Sequence, residues 1–600
     1  MPLGRSARRI RVFVVFLTVL LVLVLGRAVQ LQVIDSTAFA AEAAKRMSRS
    51  QEIAPVRGTI YDRNGAVLAA TEPAVIVSID PDMVLTNGAD KRRAMTEKEQ
   101  QEAAAAPDAV AAILAKHLGG KPETYRRLID ADPKSRYQIV ARQVPAAVFA
   151  DIRADMRKGY DGDGKRPWHG VFSEPDPIRT YPNRSLASGV VGFTNGEGQG
   201  VLGIERAYNQ ELTGEPGLMI YERSRYGRIP LGTNVMEPAV DGMDYTLTID
   251  SDLEWATEQF LAEGMRNSGA KTGMAIVMNV DNGEILAMAN APGFDPSRPG
   301  DAAPTDLSNR AVAATYEPGS VQKVLTMAAL ADAGLVTPDT KVVVPERIAS
   351  GGGYVRDAFS HGTLQLTARG VLTHSSNIGT IQLARQLPKA DLANYLSNFG
   401  LGTPTACGLP AESSGKLPKA DMADYTRDQI SFGQGLSVTA VQMAGAVSAV
   451  VNGGTWHQPH LIKAVTNSEG SPELVDEVAS RQVISPEASA AVVDMMEAVI
   501  AQGSGDRTIP GYRTIGKSGT AQRYDPNCKC YNGFTASFVA AAPAEDPKLL
   551  VYVVLDQPTH GNSGSVLALP VANKILQVAL PRYNVLPSTS EAPNEPLTFE

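Results

Sequence analysis

The feature that most constrains this chain lies at its start. Residues 12–26 (VFVVFLTVLLVLVLG) are apolar almost without a break, and Arg5, Arg8, Arg9 and Arg11 precede them with no acid among them. These 15 residues would rise about 22 Å as a helix, short of a hydrocarbon core of about 30 Å. The helix can continue through Arg27, whose stem can snorkel, to Ala28, Val29 and Leu31. A cleaved signal peptide and an uncleaved anchor both fit such a segment. A cleavage site wants small residues directly after the apolar run. Here Arg27 and Gln30-Leu31-Gln32 follow, and Ala38-Phe39-Ala40 lies too far on, which favours the anchor. Residues 1–11 then form a cytoplasmic tail, residues 12–34 the transmembrane helix, and the rest is exported. No later stretch reaches 18 apolar residues, so a single span is expected.

The exported part is too long for one ordinary domain, the whole chain having 600 residues. Fifty-six basic against 64 acidic residues leave a formal charge of −8, which supplies no basic face for nucleic acid. Three cysteines cannot staple a disulfide scaffold. Cys528 and Cys530 could pair in an oxidising compartment, but a C-x-C ring is tight and no further metal ligands stand nearby, so they read as loop cysteines of open redox state.

Along the chain, residues 35–55 read as a juxtamembrane helix. Residues 57–68 (RGTIYDRNGAVL) read as a hairpin turning at Asn64-Gly65. The Ala-rich, charged stretch near 90–130 reads as a helical insertion, and residues 182–217 as turn-rich. Residues 244–250 alternate like a strand, and an amphipathic helix starts at Leu253. Residues 273–288 form a second hairpin around Asp281-Asn282-Gly283. Helical patterns dominate 320–450, and strand patterns return at 535–541 and 549–555. Strands at both ends with helices between imply an α+β fold with one sheet completed by both ends of the domain. Residues 583–600 are polar, with Pro and Ser, and read as a disordered tail.

One local pattern carries chemistry. Pro318-Gly319 breaks the preceding structure, and residues 321–333 (VQKVLTMAALADA) form a strong helix ending at Gly334. Ser320 therefore stands at a helix N-terminus, with Lys323 one turn on and on the same side. Free N–H groups and the helix dipole favour negative charge there, and burial lowers the pKa of a lysine so that it can act as a neutral base. Alone, S-x-x-K occurs by chance in a chain this long. Ser413-Ser414-Gly415-Lys416 is a second copy, set among Gly and Pro, and reads as a loop. Two further elements follow the first copy in order: Ser375-Ser376-Asn377, and Lys517-Ser518-Gly519-Thr520 in a strand context. The histidines suggest neither a Ser-His-Asp triad nor a metal site; His457 and His460 flank Pro459 in a loop, and His374 precedes Ser375.

With these motifs the chain resembles the class B penicillin-binding proteins, closest to the division type (FtsI). EPGSVQK at 317–323, GQGLSVTAVQMAGAVSAVVNGG at 433–454 and SFVAAAPAEDP at 537–547 resemble the transpeptidase domain. RGTIYDRNG at 57–65, RTYPNRSLASGVVGF at 179–193 and GVLGIERAYNQELTGEPG at 200–217 resemble the membrane-proximal pedestal. The resemblance implies a β-rich pedestal over 56–245, and over 246–582 a transpeptidase domain of the serine-β-lactamase type, an antiparallel sheet flanked by helices. It further implies Ser320 as nucleophile, Lys323 as base and Ser375 as proton relay, with Asn377 holding Lys323 and the substrate amide. Lys517, Ser518 and Thr520 would receive the substrate carboxylate, Ser376 and Gly519 would line the substrate site, and the N–H groups of Ser320 and Thr520 would form an oxyanion hole. No metal or cofactor is called for. The implied partners are peptidoglycan stem peptides or a lipid-linked precursor, β-lactams, a SEDS-type polymerase (FtsW-like) and other division proteins, with no nucleic acid.

The rival readings are an elongation-type class B protein and a scaffold that activates a SEDS polymerase. A β-lactamase would need a base to activate deacylating water, and no element announces one. A membrane β-lactam sensor would need several spans.

Overall fold

The computed structural model describes residues 6–31, 48–90, 92–224, 227–228, 234–466, 470–475, 478–503, 508–525 and 528–600. They divide into two compact units. The first is Met1–Val56 with Gly214–Gly242. Its helix Ser6–Val29 has 24 residues, about 36 Å at 1.5 Å per residue, and is long and apolar enough to cross a membrane. Its Val, Leu and Phe side chains are exposed all round, with no polar face. The juxtamembrane helix expected over 35–55 is not found where the chain is described. Ser48–Ile53 is a strand, antiparallel to Gly217–Ser224, which also pairs with Asn234–Glu237. The partner of this strand lies far along the chain, so local propensity gives no sign of it. Residues 32–47 lie outside the described residues.

The second unit is Arg57–Thr213 with Met243–Glu600. Its first hairpin pairs Ile60–Tyr61 with Val67–Glu72. Asp62 Oδ1 accepts from the N–H groups of Asn64 and Ala66, both at 2.8 Å, and Gly65 takes a positive φ of 88°. Arg57 meets the fully buried Glu205 at 2.6 Å, and Arg179 meets the other oxygen of that carboxylate, also at 2.6 Å. Two guanidinium groups thus face one carboxylate that is closed off from the surface. Beyond the hairpin, Ala74–Ile79 is the centre of a three-stranded sheet with Gln138–Pro145 and Val171–Pro175. The helices Glu97–Leu118 and Pro122–Ala131 occupy the Ala-rich stretch and share a small core with that sheet, through Val77, Ile79, Val110, Leu114 and Ile129.

A five-stranded sheet of long strands runs Ile285–Ala291, Thr272–Asn279, Leu549–Asp556, Cys530–Ala542, Ile515–Asp525, every pair antiparallel. Strands from both ends of the domain thus complete one sheet. Side chains on a strand alternate between faces. Val551, Val553 and Leu555 pack toward Leu253, Leu261, Ile575 and Leu576 of the helices Ser251–Ser268 and Leu569–Arg582. Leu550, Tyr552 and Val554 pack on the opposite side, with Val324, Leu325, Met327 and Met495. Both faces are covered, which is why this strand reads as a continuous apolar run. The helix Ala440–Val451 is buried on all sides and starts at a capping box, Thr439 with Gln442. At the end of the sheet Ile515–Asp525 has, among the described residues, a strand neighbour on one side only.

Residues 583–600, expected to be a disordered tail, are docked. Tyr512 Oη donates to Val585 O at 2.8 Å, Arg513 Nη1 to Ser590 Oγ at 2.9 Å, and the N–H of Thr367 to Leu597 O at 3.0 Å. The end of the chain lies strand-like beside Leu364–Thr367, with Thr598 opposite Leu366. Most of these contacts use the tail's backbone, so its polar composition does not reveal them. Cys528 and Cys530, read as loop cysteines of open redox state, form a disulfide. They sit where the edge strand turns into its neighbour, which brings their two sulfurs together.

Candidate active site

Ser320 lies in a single 3-10 turn, Gly319–Val321, that runs straight into the helix Gln322–Asp332. Gly319 holds a φ of +57°, and a Cβ there would lie 3.0 Å from Thr520 O. The turn is clamped from the other side as well: the N–H of Gly319 donates to Gly433 O at 3.0 Å, and a Cβ on Gly433 would fall 1.9 Å from Gly319 O. Both glycines therefore serve close approach of backbone to backbone. Glu317 Oε1 accepts from the N–H of Gly435 at 2.9 Å, a second tie between the same two segments. Ser320 itself is only partly buried.

One helical turn on, Lys323 is fully buried. Its Nζ donates to Ser375 O at 2.5 Å and to Asn377 Oδ1 at 2.8 Å, and reaches Ser375 Oγ at 3.3 Å. From the edge strand, Lys517 Nζ also meets Ser375 Oγ, at 3.0 Å, and touches Ser518 O and Oγ at 3.2 and 3.4 Å. One hydroxyl thus links the two lysines. Ser375 holds a φ of +57°, the left-handed region that costs a non-glycine residue of order 1 kcal/mol. That conformation turns both its carbonyl and its hydroxyl toward Lys323.

Burial sets the electrostatics. It holds Lys323 well below the usual lysine range, and the nearby Lys517 lowers it further, while Asp357 acts the other way. Burial pushes Lys517 down to about 7. The pair is therefore poised to carry less than two charges at neutral pH.

Hydrogen bonds gather Lys323, Ser375, Asn377, Lys517 and Ser518; Ser320 stands one helical turn before Lys323, and Thr520 lies against the nucleophile turn at Gly319, with Ser518 partly buried and Thr520 exposed. Two expected substrate-site residues have other surroundings. Ser376 is fully buried. Its Oγ caps the helix Asn377–Ala384 by accepting from the N–H of Gly379 at 2.9 Å, and donates to Asp357 Oδ2 at 2.6 Å. It faces the protein interior because Ser375, in the left-handed region, points the other way. Gly519 packs against the nucleophile turn: a Cβ there would lie 2.3 Å from Ser537 Oγ and 2.8 Å from Pro318 O. It is small so that the strand can press against that turn.

Asp357 escaped the sequence reading. Its side chain is fully buried; besides Ser376 it accepts from the N–H of Ile378 at 3.0 Å and stands 3.1 Å from His361 Nε2. It holds the Ser376–Ile378 backbone, and thereby Asn377, in place. It lies in an irregular stretch after Gly351-Gly352-Gly353 with no motif around it. His374 is exposed at its surface, its pKa is lowered by partial desolvation, and its ring sits 6.4 Å from that of Phe359.

A serine one helical turn from a buried lysine, beside the edge of an antiparallel sheet that carries a second lysine, is the arrangement of a serine acyltransferase. Comparison with known proteins gives the same class. The Penicillin binding protein transpeptidase domain matches residues 273–577, and the Penicillin-binding Protein dimerisation domain matches residues 52–247. The chain is 34% identical to penicillin-binding protein PbpB of Mycolicibacterium smegmatis, over 97% of this chain and 92% of that protein. It is 30% identical to peptidoglycan D,D-transpeptidase FtsI of Escherichia coli, over 94% and 90% respectively. Penicillin binding protein 3 of Mycobacterium tuberculosis, solved in complex with aztreonam, superposes with a TM-score of 0.68 at 28% identity, covering 92% of this chain and all of that one. The chain belongs to the penicillin-binding protein transpeptidases.

Proposed function

We propose that the protein is a peptidoglycan D,D-transpeptidase that cross-links stem peptides through an acyl-Ser320 intermediate. The observation that carries this reading is the buried Lys323, depressed in pKa and aimed at Ser375 and Asn377 beside Ser320. Neutral Lys323 takes the proton of Ser320 Oγ as that oxygen attacks the carbonyl carbon of the penultimate D-Ala. The oxyanion that forms is met by the N–H groups of Ser320 and Thr520, each donor worth about 3 kcal/mol. Collapse breaks the C–N bond. The departing D-Ala amine receives a proton through Ser375, which touches both lysines. An amine of a second stem then attacks the acyl ester, forming the cross-link and freeing Ser320. Lys517, Ser518 and Thr520 hold the terminal carboxylate of the donor, and Asn377 its amide. A β-lactam enters the same route but leaves a long-lived acyl-serine.

The arginines ahead of the apolar helix favour a single-pass anchor with a cytoplasmic N-terminus and an exported catalytic domain. Among the relatives, FtsI and PbpB support the division-type reading over elongation. A SEDS-type glycan polymerase of the FtsW kind, with other division proteins, is the partner class this reading implies. The decisive experiment is intact-mass analysis of the detergent-solubilised protein with benzylpenicillin, beside Ser320→Ala. We expect a gain of one drug mass in the native protein and none in the variant. No adduct on folded native protein sinks the transpeptidase reading in favour of a scaffold; rapid turnover of the drug points to a β-lactamase.

A further inference from the structure

Beside the nucleophile turn lies a cavity of about 550 Å³, walled by Tyr316 and Glu317 just upstream of Ser320, by Gln522 and Arg523 of the edge strand, by Tyr531, and by Lys416. Lys416 is the lysine of the second S-x-x-K, for which the chemistry above has no use. Its backbone is held firmly. It exchanges both hydrogen bonds with Ser437, at 2.8 and 3.0 Å, and the next residue, Val438, exchanges both with Tyr316 at 3.0 Å. The lysine therefore stands on a backbone tied to the nucleophile turn, with its side chain exposed.

The other cations of the wall are matched. Arg310 pairs with Asp306 at 2.5 Å, and Arg523 with Asp556 at 3.3 Å. Lys416 has no ion pair among the described residues. Glu317, an acid of the same wall, is turned to the backbone, its Oε1 accepting from the N–H of Gly435 at 2.9 Å. Lys416 is thus the cation of this wall left without an ion pair among the described residues.

Its position relative to the chemistry gives that charge a meaning. The mechanism above places the donor's carboxylate at Lys517 and Thr520 and its scissile carbonyl over Ser320, beside Thr520. Two points orient a peptide. It runs antiparallel to the edge strand, and its upstream residues pass Gln522 and Arg523. At about 3.3 Å per residue, Thr520 to Arg523 is roughly 10 Å, so the residues before D-Ala-D-Ala arrive at the mouth of the cavity.

We propose that the cavity and Lys416 receive the acyl-donor stem upstream of its D-Ala-D-Ala end and select a carboxylate there, such as the α-carboxylate of a γ-linked glutamyl residue, over its carboxamide. This rests on the transpeptidase reading. The test uses two β-lactams bearing a stem-peptide acyl side chain, identical except that the glutamyl unit is a free acid in one and a carboxamide in the other. The second-order rate of Ser320 acylation is measured on the full-length protein in detergent, with Lys416→Gln and Lys416→Arg alongside. No acceptor amine is present, so only the donor position is read, and the ratio of the two rates within each protein cancels any general effect of the substitution.

The native protein should favour the acid by about fivefold, the range of a partly exposed, charge-assisted pair. Lys416→Gln should bring the ratio to one, Lys416→Arg should retain it, and added salt should shrink it. Equal rates in the native protein, or a preference that survives in Lys416→Gln, overturn the proposal. Failure of both compounds to leave any adduct on Ser320 overturns instead the transpeptidase reading beneath it.

Discussion

At the scale of single residues, the site depends on two lysines that burial keeps close to losing their charge. In the proposed mechanism Lys323 acts neutral and Lys517 charged, so they set opposite limbs of a pH profile. Lys517 sits near 7, so as pH rises through 7 it loses the charge that receives the substrate carboxylate. Acylation by penicillin, read as the second-order rate and hence reporting the free enzyme, should fall above pH 7 by up to about tenfold per unit. Lys517→Arg keeps its charge beyond pH 12 and should remove that falling limb even if the overall rate drops. A native profile flat to pH 9 would falsify this assignment. Most of these residues were legible in the sequence because each stands at a structural break that sequence announces. Pro318-Gly319 starts the helix that carries Ser320 and Lys323, and Lys517 follows a strand pattern. Ser376 was not legible. Two adjacent serines look alike, and only the φ of +57° at Ser375 decides which hydroxyl enters the cleft. Asp357 was not legible either, because its role comes from burial against a helix start some 20 residues later.

At the scale of elements, expectations failed where a segment is held by a distant partner through its backbone. The strand Ser48–Ile53 needs Gly217–Ser224 to exist as a strand at all. The tail is the same case. Arg369 reaches Pro596 O, Thr367 bonds Leu597, and Lys341 lies over the Phe599 ring at 5.1 Å. A Cβ on Gly370 would fall 1.9 Å from Leu597 O, so the tail presses on the helix Ala368–Thr373 that leads into Ser375. Deleting residues 589–600 should destabilise the protein by about 1–3 kcal/mol, the worth of a few hydrogen bonds net of the tail's ordering entropy. Thermal melting of the full-length and shortened proteins measures this. Unchanged melting would mean that the tail rides on the surface without supporting that helix. Elements whose own residues specify them, such as the hairpin at Asn64-Gly65 and the capped helix Ala440–Val451, were readable from the sequence.

At the scale of the whole molecule, the apolar helix and the domain it precedes make one prediction together. If the helix is an anchor, carbonate washing should leave the intact chain in the membrane pellet. Release of a chain shorter by its first 25–40 residues, by mass about 3–4 kDa, would show instead that the helix is a removed leader. The order of strands in the large sheet has a consequence for how such a protein is made. Asn279 pairs with Leu549, so the second strand of the sheet waits for a partner 549 − 279 = 270 residues later. At about 10 residues per second of synthesis, that wait is roughly half a minute, during which Thr272–Asn279 has emerged but has no neighbour on that side. The edge strand with Lys517 comes late as well. Ser320 and Lys323 therefore leave the ribosome well before Lys517 and its strand, and a chain interrupted during synthesis holds Ser320 without the strand that faces it. The site is whole only once residues 515–556 have been made, late in a chain of 600 residues.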